Sequence, residues 1–155
     1  MKLARGFPLA RPATALALAL GMIGCGAHSR SLHVGTLVAD HPRVAVLPLE
    51  DLSGEVDATM AFTRMVFTEV VRAGNCEVVE SGVVEEAMDS LSIRNGGSLS
   101  QGQIRALGDR LKVAYLLTGT MLESGMVQVG DGQVPIAGAA LKLIEVSSSR
   151  AVWAT

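Results

Sequence analysis

The stretch RVAVLPL, Arg43 to Leu49, constrains the fold more than any other part of the chain. It is apolar without alternation, and such a strand has to be covered on both faces, as in a parallel sheet layered between other elements. EDLSG (Glu50 to Gly54) follows it with turn chemistry. The period then becomes helical over Asp57 to Arg72, where Phe62, Met65, Val66 and Val70 share one face and Ala73-Gly74-Asn75 gives the stop. CEVVE (Cys76 to Glu80) reads as a second short strand. Ser81 is placed to cap a second helix over roughly Val83 to Leu91, with Glu85 and Glu86 near its positive end.

RNGGSL (Arg94 to Leu99) reads as a flexible glycine-rich turn. Ser100 and Gln103 form a capping box that opens a third helix carrying Ile104, Leu107 and Leu111 on one face. Val113 to Ser124 is a long strand, and Gly130-Asp131-Gly132 a hairpin turn. Val134 to Val146 pairs back, and Ala151 to Thr155 begins another strand after the turn at Ser147 to Arg150. The order β-α-β-α-α-β-β-β predicts a single α/β domain over residues 43–155, three-layer-like with a mixed sheet.

Ahead of that domain lies a segment with the parts of an export signal. Lys2, Arg5 and Arg11 supply positive charge, Ala13 to Ile23 a short apolar run, and Met22-Ile-Gly-Cys25 small residues before a cysteine. The run falls short of the ~20 apolar residues that a membrane-spanning helix needs. Residues 1–24 are therefore expected to be a signal peptide. MIGC resembles a lipobox, which implies cleavage between Gly24 and Cys25 and a diacylglycerol on the Cys25 sulfur. Gly26, rather than an acidic residue, follows the cysteine, so the expected address is the outer membrane, lipid-anchored and facing the periplasm. Residues 25–42 then read as the lipidated N-terminus and a flexible tether. Its 17 residues from Gly26 reach at most ~60 Å.

Charge and residue types narrow the chemistry. The three basic residues of the leader, removed from the chain's 13, leave 10 basic against 15 acidic, a net charge of −5 that argues against nucleic acid as partner. His28, His33 and His41 all precede the domain and have no compact metal-ligand spacing, so no metal and no cofactor are expected. The domain without histidine lacks the usual base for a Ser or Cys nucleophile, and no phosphate loop or dinucleotide fingerprint occurs. The chain is accordingly read as no enzyme. Cys76 is expected as a small hydrophobe at a strand start; a Cys25–Cys76 disulfide is the alternative, and it contradicts acylation. Glu50 and Asp51, after the first strand where α/β folds bind ligands, are the candidate contacts for a ligand or partner. The competing role for Asp51 and Ser53 is to order the turn before the first helix.

VAVLPLEDLSG (Val44 to Gly54) resembles the first strand and turn of TolB N-terminal-like domains, a fold also found in CsgG of curli secretion and in LpoB, the lipoprotein activator of a penicillin-binding protein. ALGDRLKVAYLLTGTMLES (Ala106 to Ser124) is similar to their helix and following strand, with Val113-Ala114-Tyr115 at the matching place, and Ala140 to Thr155 to their closing hairpin. The resemblance covers about 110 residues. The chain stops at Thr155, a few residues into a last strand that relatives usually extend, so either the domain is pared down or the sequence is a fragment with that strand truncated. What the resemblance implies is an envelope lipoprotein that binds envelope or secretion proteins, its own copies included. A CsgG-type channel is not expected from this chain alone, because Met121 to Ala140 carries Glu123, Gln128, Asp131 and Gln133 without a clean apolar face. An LpoB-like reach across the wall is disfavoured by the short tether.

Overall fold

The computed structural model describes residues 32–33 and 41–155. The leader, Gly24, Cys25 and most of the segment read as a tether lie outside the described residues. The elements run β1 (Leu32–His33), β2 (Arg43–Val46), β3 (Glu50–Asp51), α1 (Val56–Ala73), β4 (Glu77–Val78), α2 (Ser81–Ser90), α3 (Gln101–Leu111), β5 (Tyr115–Val129), β6 (Gly132–Glu145) and β7 (Arg150–Ala154). One mixed sheet has the order β1-β7-β6-β5-β2-β4, with β3 pairing β5 beyond the end of β2. The expected α/β architecture is present.

The path of the chain explains the layers. From β2 it steps to β4 through α1, then travels back past β2 to β5 through α2 and α3, all three strands being parallel. Crossovers between parallel strands are right-handed, so reversing the direction of travel places the helices on opposite faces. Val44, Val46, Tyr115 and Leu117 point to one face, where Val66, Phe67 and Val70 of α1 pack on them. Ala45, Leu47 and Leu116 point to the other and are buried under Val84, Ala87 and Met88 of α2 and Ile104, Leu107 and Leu111 of α3. That two-sided burial is what the unalternating run Arg43 to Leu49 demanded.

Local chemistry sets the element ends. Ser100 and Gln103 form the reciprocal capping box of α3, and Gly74, at φ 68°, closes α1 in the left-handed region. For α2 the cap is Glu80 rather than Ser81: its carboxylate accepts from the Gly82 N–H at 2.7 Å, and Ser81 is already helical. Gly130, at φ 60°, takes the first place of the two-residue turn joining β5 and β6.

Two further features depart from the sequence reading. Leu32–His33, inside the segment read as a tether, pair antiparallel with Ala154 and Trp153 and extend the sheet by one strand. Met65, expected on the buried face of α1, is 58% exposed. The reason is coverage. One helix is about 10–12 Å across and strands lie ~4.8 Å apart, so α1 covers about two strands. It sits over the β2 and β5 side and leaves part of β6 and β7 open.

Candidate functional site

The sequence candidates Glu50 and Asp51 sit together in β3, beside Thr120 and Met121 of β5, but their side chains do different things. The Asp51 carboxylate accepts from the Ser53 N–H (3.0 Å), the Ser53 hydroxyl (2.7 Å) and the Thr59 hydroxyl of α1 (2.9 Å). These bonds, the Ser53 hydroxyl foremost, hold it below the usual carboxylate range against a smaller opposing effect of desolvation. The Ser53 hydroxyl accepts in turn from the Glu55 N–H at 3.2 Å. Asp51 thus ties the turn to the first helix.

Glu50 faces the other side of the strand end and accepts from the Asn95 amide at 3.1 Å. This brings together two segments that the sequence left separate. The crevice between β2 and β5, where the strand order reverses, is the usual ligand position of an open α/β sheet. Here the loop Asn95-Gly96-Gly97 fills it. Gly96 and Gly97 are buried, the Thr118 hydroxyl donates to the Gly96 carbonyl, and Lys142 Nζ donates to the Gly97 carbonyl at 2.9 Å. A Cβ on Gly96 would lie 2.6 Å from the Pro48 carbonyl oxygen, and one on Gly97 2.6 Å from the Glu50 Cβ. The loop expected to be a flexible turn is a fitted plug, because only glycine backbone can approach this closely.

Other polar chemistry is sparse. No group of three or more His, Cys, Asp and Glu side chains able to hold a metal occurs among the described residues. Cys76, partly buried at the start of β4 and free of any disulfide, packs against the α1-side core; burial raises its thiol above the ordinary value.

The surface that stands out is apolar. Between α1 and the uncovered strands runs an open groove of about 500 Å³, with Phe62 and Met65 on one wall, Leu141, Leu143 and Trp153 on its floor and Cys76 at one end. Phe62 and Met65 also border a second depression, against Met126 and Pro135 of the β5–β6 ribbon, so the apolar surface is continuous along α1. The ribbon itself projects about 20 Å beyond the Met121–Glu123 bulge, at ~3.4 Å per residue. Val127 lies opposite Val134, Gly125 opposite Ile136 and Val129 opposite Gly132, and directly paired residues share a face. Val127, Val129, Val134 and Ile136 therefore form one stripe, 38–60% exposed. Gln128 and Gln133 pair on the other face, Asp131 occupies the turn, and only Glu123 stands at the base of the stripe. The ribbon has the apolar face that a count of its polar residues argued against. Alternation within GMVQVGDGQVPI was the signal that finds it.

No helix among the described residues is long and apolar enough to cross a membrane. No family model matches the sequence, and no curated protein matches it significantly. Solved structures do share the fold. Lipoprotein GNA1162 from Neisseria meningitidis superposes with a TM-score of 0.60 at 18% identity, over 74% of this chain and 78% of that one. The C-terminal domain of LpoB from Escherichia coli gives 0.56 at 11% identity, over 78% and 84%. A PelC dodecamer from Paraburkholderia phytofirmans gives 0.50 at 21% identity, over 81% and 74%. The chain has the fold of these domains.

Proposed function

We propose that the chain is an outer-membrane lipoprotein, cleaved after Gly24 and acylated at Cys25, whose domain of residues 43–155 docks on other envelope proteins in assembly or secretion without itself catalysing a reaction. The observation that carries this reading is the apolar surface of ribbon and groove. Exposed apolar patches of this kind mark interaction sites, while the crevice that would take a small ligand is filled by the chain's own loop. The fold's occurrence in a named lipoprotein, in LpoB and in a dodecamer supports an anchored binding module, with its own copies among the partners.

Fractionation and intact mass test it together. The mature chain should carry a diacylglycerol-sized addition at Cys25 and sediment with outer membranes, and Cys25→Ser should release it. A photo-crosslinker at Ile136 should give discrete adducts in living cells. An unmodified, soluble mature chain without adducts overturns the proposal.

LpoB-like activation of a penicillin-binding protein is the second reading, favoured by the likeness to that domain. It requires a penicillin-binding protein among the Ile136 adducts. A CsgG-type channel role, for which the amphipathic ribbon speaks, requires conductance in reconstituted bilayers.

A further inference from the structure

The sheet has a gap at its β4 edge. β4 is two residues long and pairs only with Arg43 and Val44 of β2. Beyond Val44 the outer side of β2 therefore has no neighbouring strand among the described residues. The helices α1 and α2, packed on opposite faces of the sheet, wall this gap. Between them lies a cavity of about 180 Å³, with Val46 and Pro48 at its back, Met60, Arg64 and Phe67 of α1 along one side and Glu85 of α2 along the other. It sits at the C-terminal end of a parallel strand, where α/β sheets bind ligands, on the other side of β2 from the crevice that Asn95-Gly96-Gly97 fills.

The polar groups inside are spent within the chain. The Thr59 hydroxyl donates to Asp51, and the Thr63 hydroxyl donates to the Thr59 carbonyl and accepts from the Leu49 N–H. What the interior offers a ligand is apolar surface. At the mouth the reverse holds. The side chains of Arg64 and Glu85 are exposed and make no hydrogen bond or ion pair with each other or with any other described residue. An apolar cavity of about 150 Å³ admits benzene, so this one has room for a single large apolar side chain.

The chain joining β1 to β2 is too short to cover this pocket. His33 lies four strands from β2, and the eight steps from His33 to His41 reach at most ~29 Å. A path by way of the pocket crosses ~19 Å of sheet and then descends ~23 Å from Pro48 to His41.

Resting on the docking reading above, we propose that this pocket is the anchor point for a segment of a partner protein that inserts one leucine- or phenylalanine-sized side chain between an acidic and a basic neighbour. The apolar side chain fills the cavity, as the central anchors of protein interfaces do. The acidic neighbour meets Arg64, the basic one Glu85, and the two charges at the rim fix the direction of the segment. Arg64 and Glu85 belong to helices on opposite faces of the sheet, so a ligand that meets both has to span the sheet edge. Three consecutive residues do so more readily than a free amino acid, whose two charges sit on one carbon.

Saturation-transfer NMR on the mature acylated chain in nanodiscs, with empty nanodiscs as control, tests this with two capped tripeptides, acetyl-Glu-Leu-Lys-amide and acetyl-Lys-Leu-Glu-amide. One of them should bind with a Kd of about 1 mM or tighter, and ahead of the other. Alanine in place of its leucine should weaken binding at least about tenfold. Reversing both charges, with Arg64→Glu and Glu85→Arg together, should invert the preference between the peptides. Met60→Trp, at a position 48% exposed, should fill the cavity and abolish binding, and unchanged thermal melts verify that the variants fold. No binding of either peptide at about 10 mM overturns the proposal. So does binding indifferent to the central leucine, or a preference that survives the charge reversal. Free leucine binding more tightly than both peptides would make this a small-molecule site and likewise refute it. In each of these cases acylation, outer-membrane sedimentation and the Ile136 adducts stay as they were, so failure of the anchor point is separable from failure of the docking reading.

Discussion

Lys142 reaches from β6 to the carbonyl of Gly97, 45 residues earlier in the chain, and closes the loop over the end of the sheet at 2.9 Å. The contact works only because Gly97 carries no side chain against Glu50. Gly97→Ala should cost about 1–3 kcal/mol, the usual range for overpacking. Glu50→Ala removes the Glu50 carboxyl from that space but keeps its Cβ 2.6 Å away, so it should recover only part of the loss, whereas Gly96→Ala, which meets the Pro48 backbone, should gain nothing from the same change. Chemical denaturation of the single and double variants measures the difference.

Acid should weaken the turn at Asp51. Its carboxyl titrates below the ordinary 3.8, so its contribution is fully present above that value and is lost as pH falls through the folded-state value. Between about pH 5 and about pH 2.5 the melting temperature of the parent chain should fall more steeply than that of Asp51→Asn, which has no such charge to lose. Parallel slopes would refute this role for Asp51.

The capping box of α3 should be measurable on its own. Ser100→Ala removes the acceptor for the Gln103 N–H and should cost about 1 kcal/mol, and Ser100→Asp should retain most of the stability. Urea midpoints with unchanged slopes would report it.

Cys76 should behave as a reluctant nucleophile. Burial raises its thiol, so less thiolate is present at a given pH than in an exposed cysteine. Its alkylation rate should climb at higher pH than that of an unstructured cysteine peptide, and denaturant should erase the difference.

Local rules carried far in this chain. The unalternating run from Arg43, the capping box at Ser100 and Gln103, and the glycine turn at Gly130 each depend on neighbours within a few residues, and they are enough to order the helices and strands. Glu80 in place of Ser81 as a cap is a shift of one residue, within the ordinary blur of helix ends. What remained hidden depends on distant partners. Nothing near Leu32–His33 announces that β7 will pair with them, and Met65 is apolar and correctly spaced yet has no strand fully beneath it. Asn95-Gly96-Gly97 reads as slack until Pro48, Glu50, Thr118 and Lys142 are seen around it. Glu50 was legible as a residue of interest, but its role in seating a loop was not.

The pairing of β1 with β7 sets a direction as well as a strand. Because Leu32 lies opposite Ala154 and His33 opposite Trp153, the N-terminal end of β1 is at the end of the sheet from which the β5–β6 ribbon projects. Six residues lie between Cys25 and Leu32, and the seven steps span at most about 25 Å at ~3.6 Å each. With the proposed lipid on Cys25, the domain hangs by one edge on a leash scarcely longer than its own ribbon. A domain anchored in that way would act as a surface-bound part with a set heading, its ribbon held in a thin shell above the membrane.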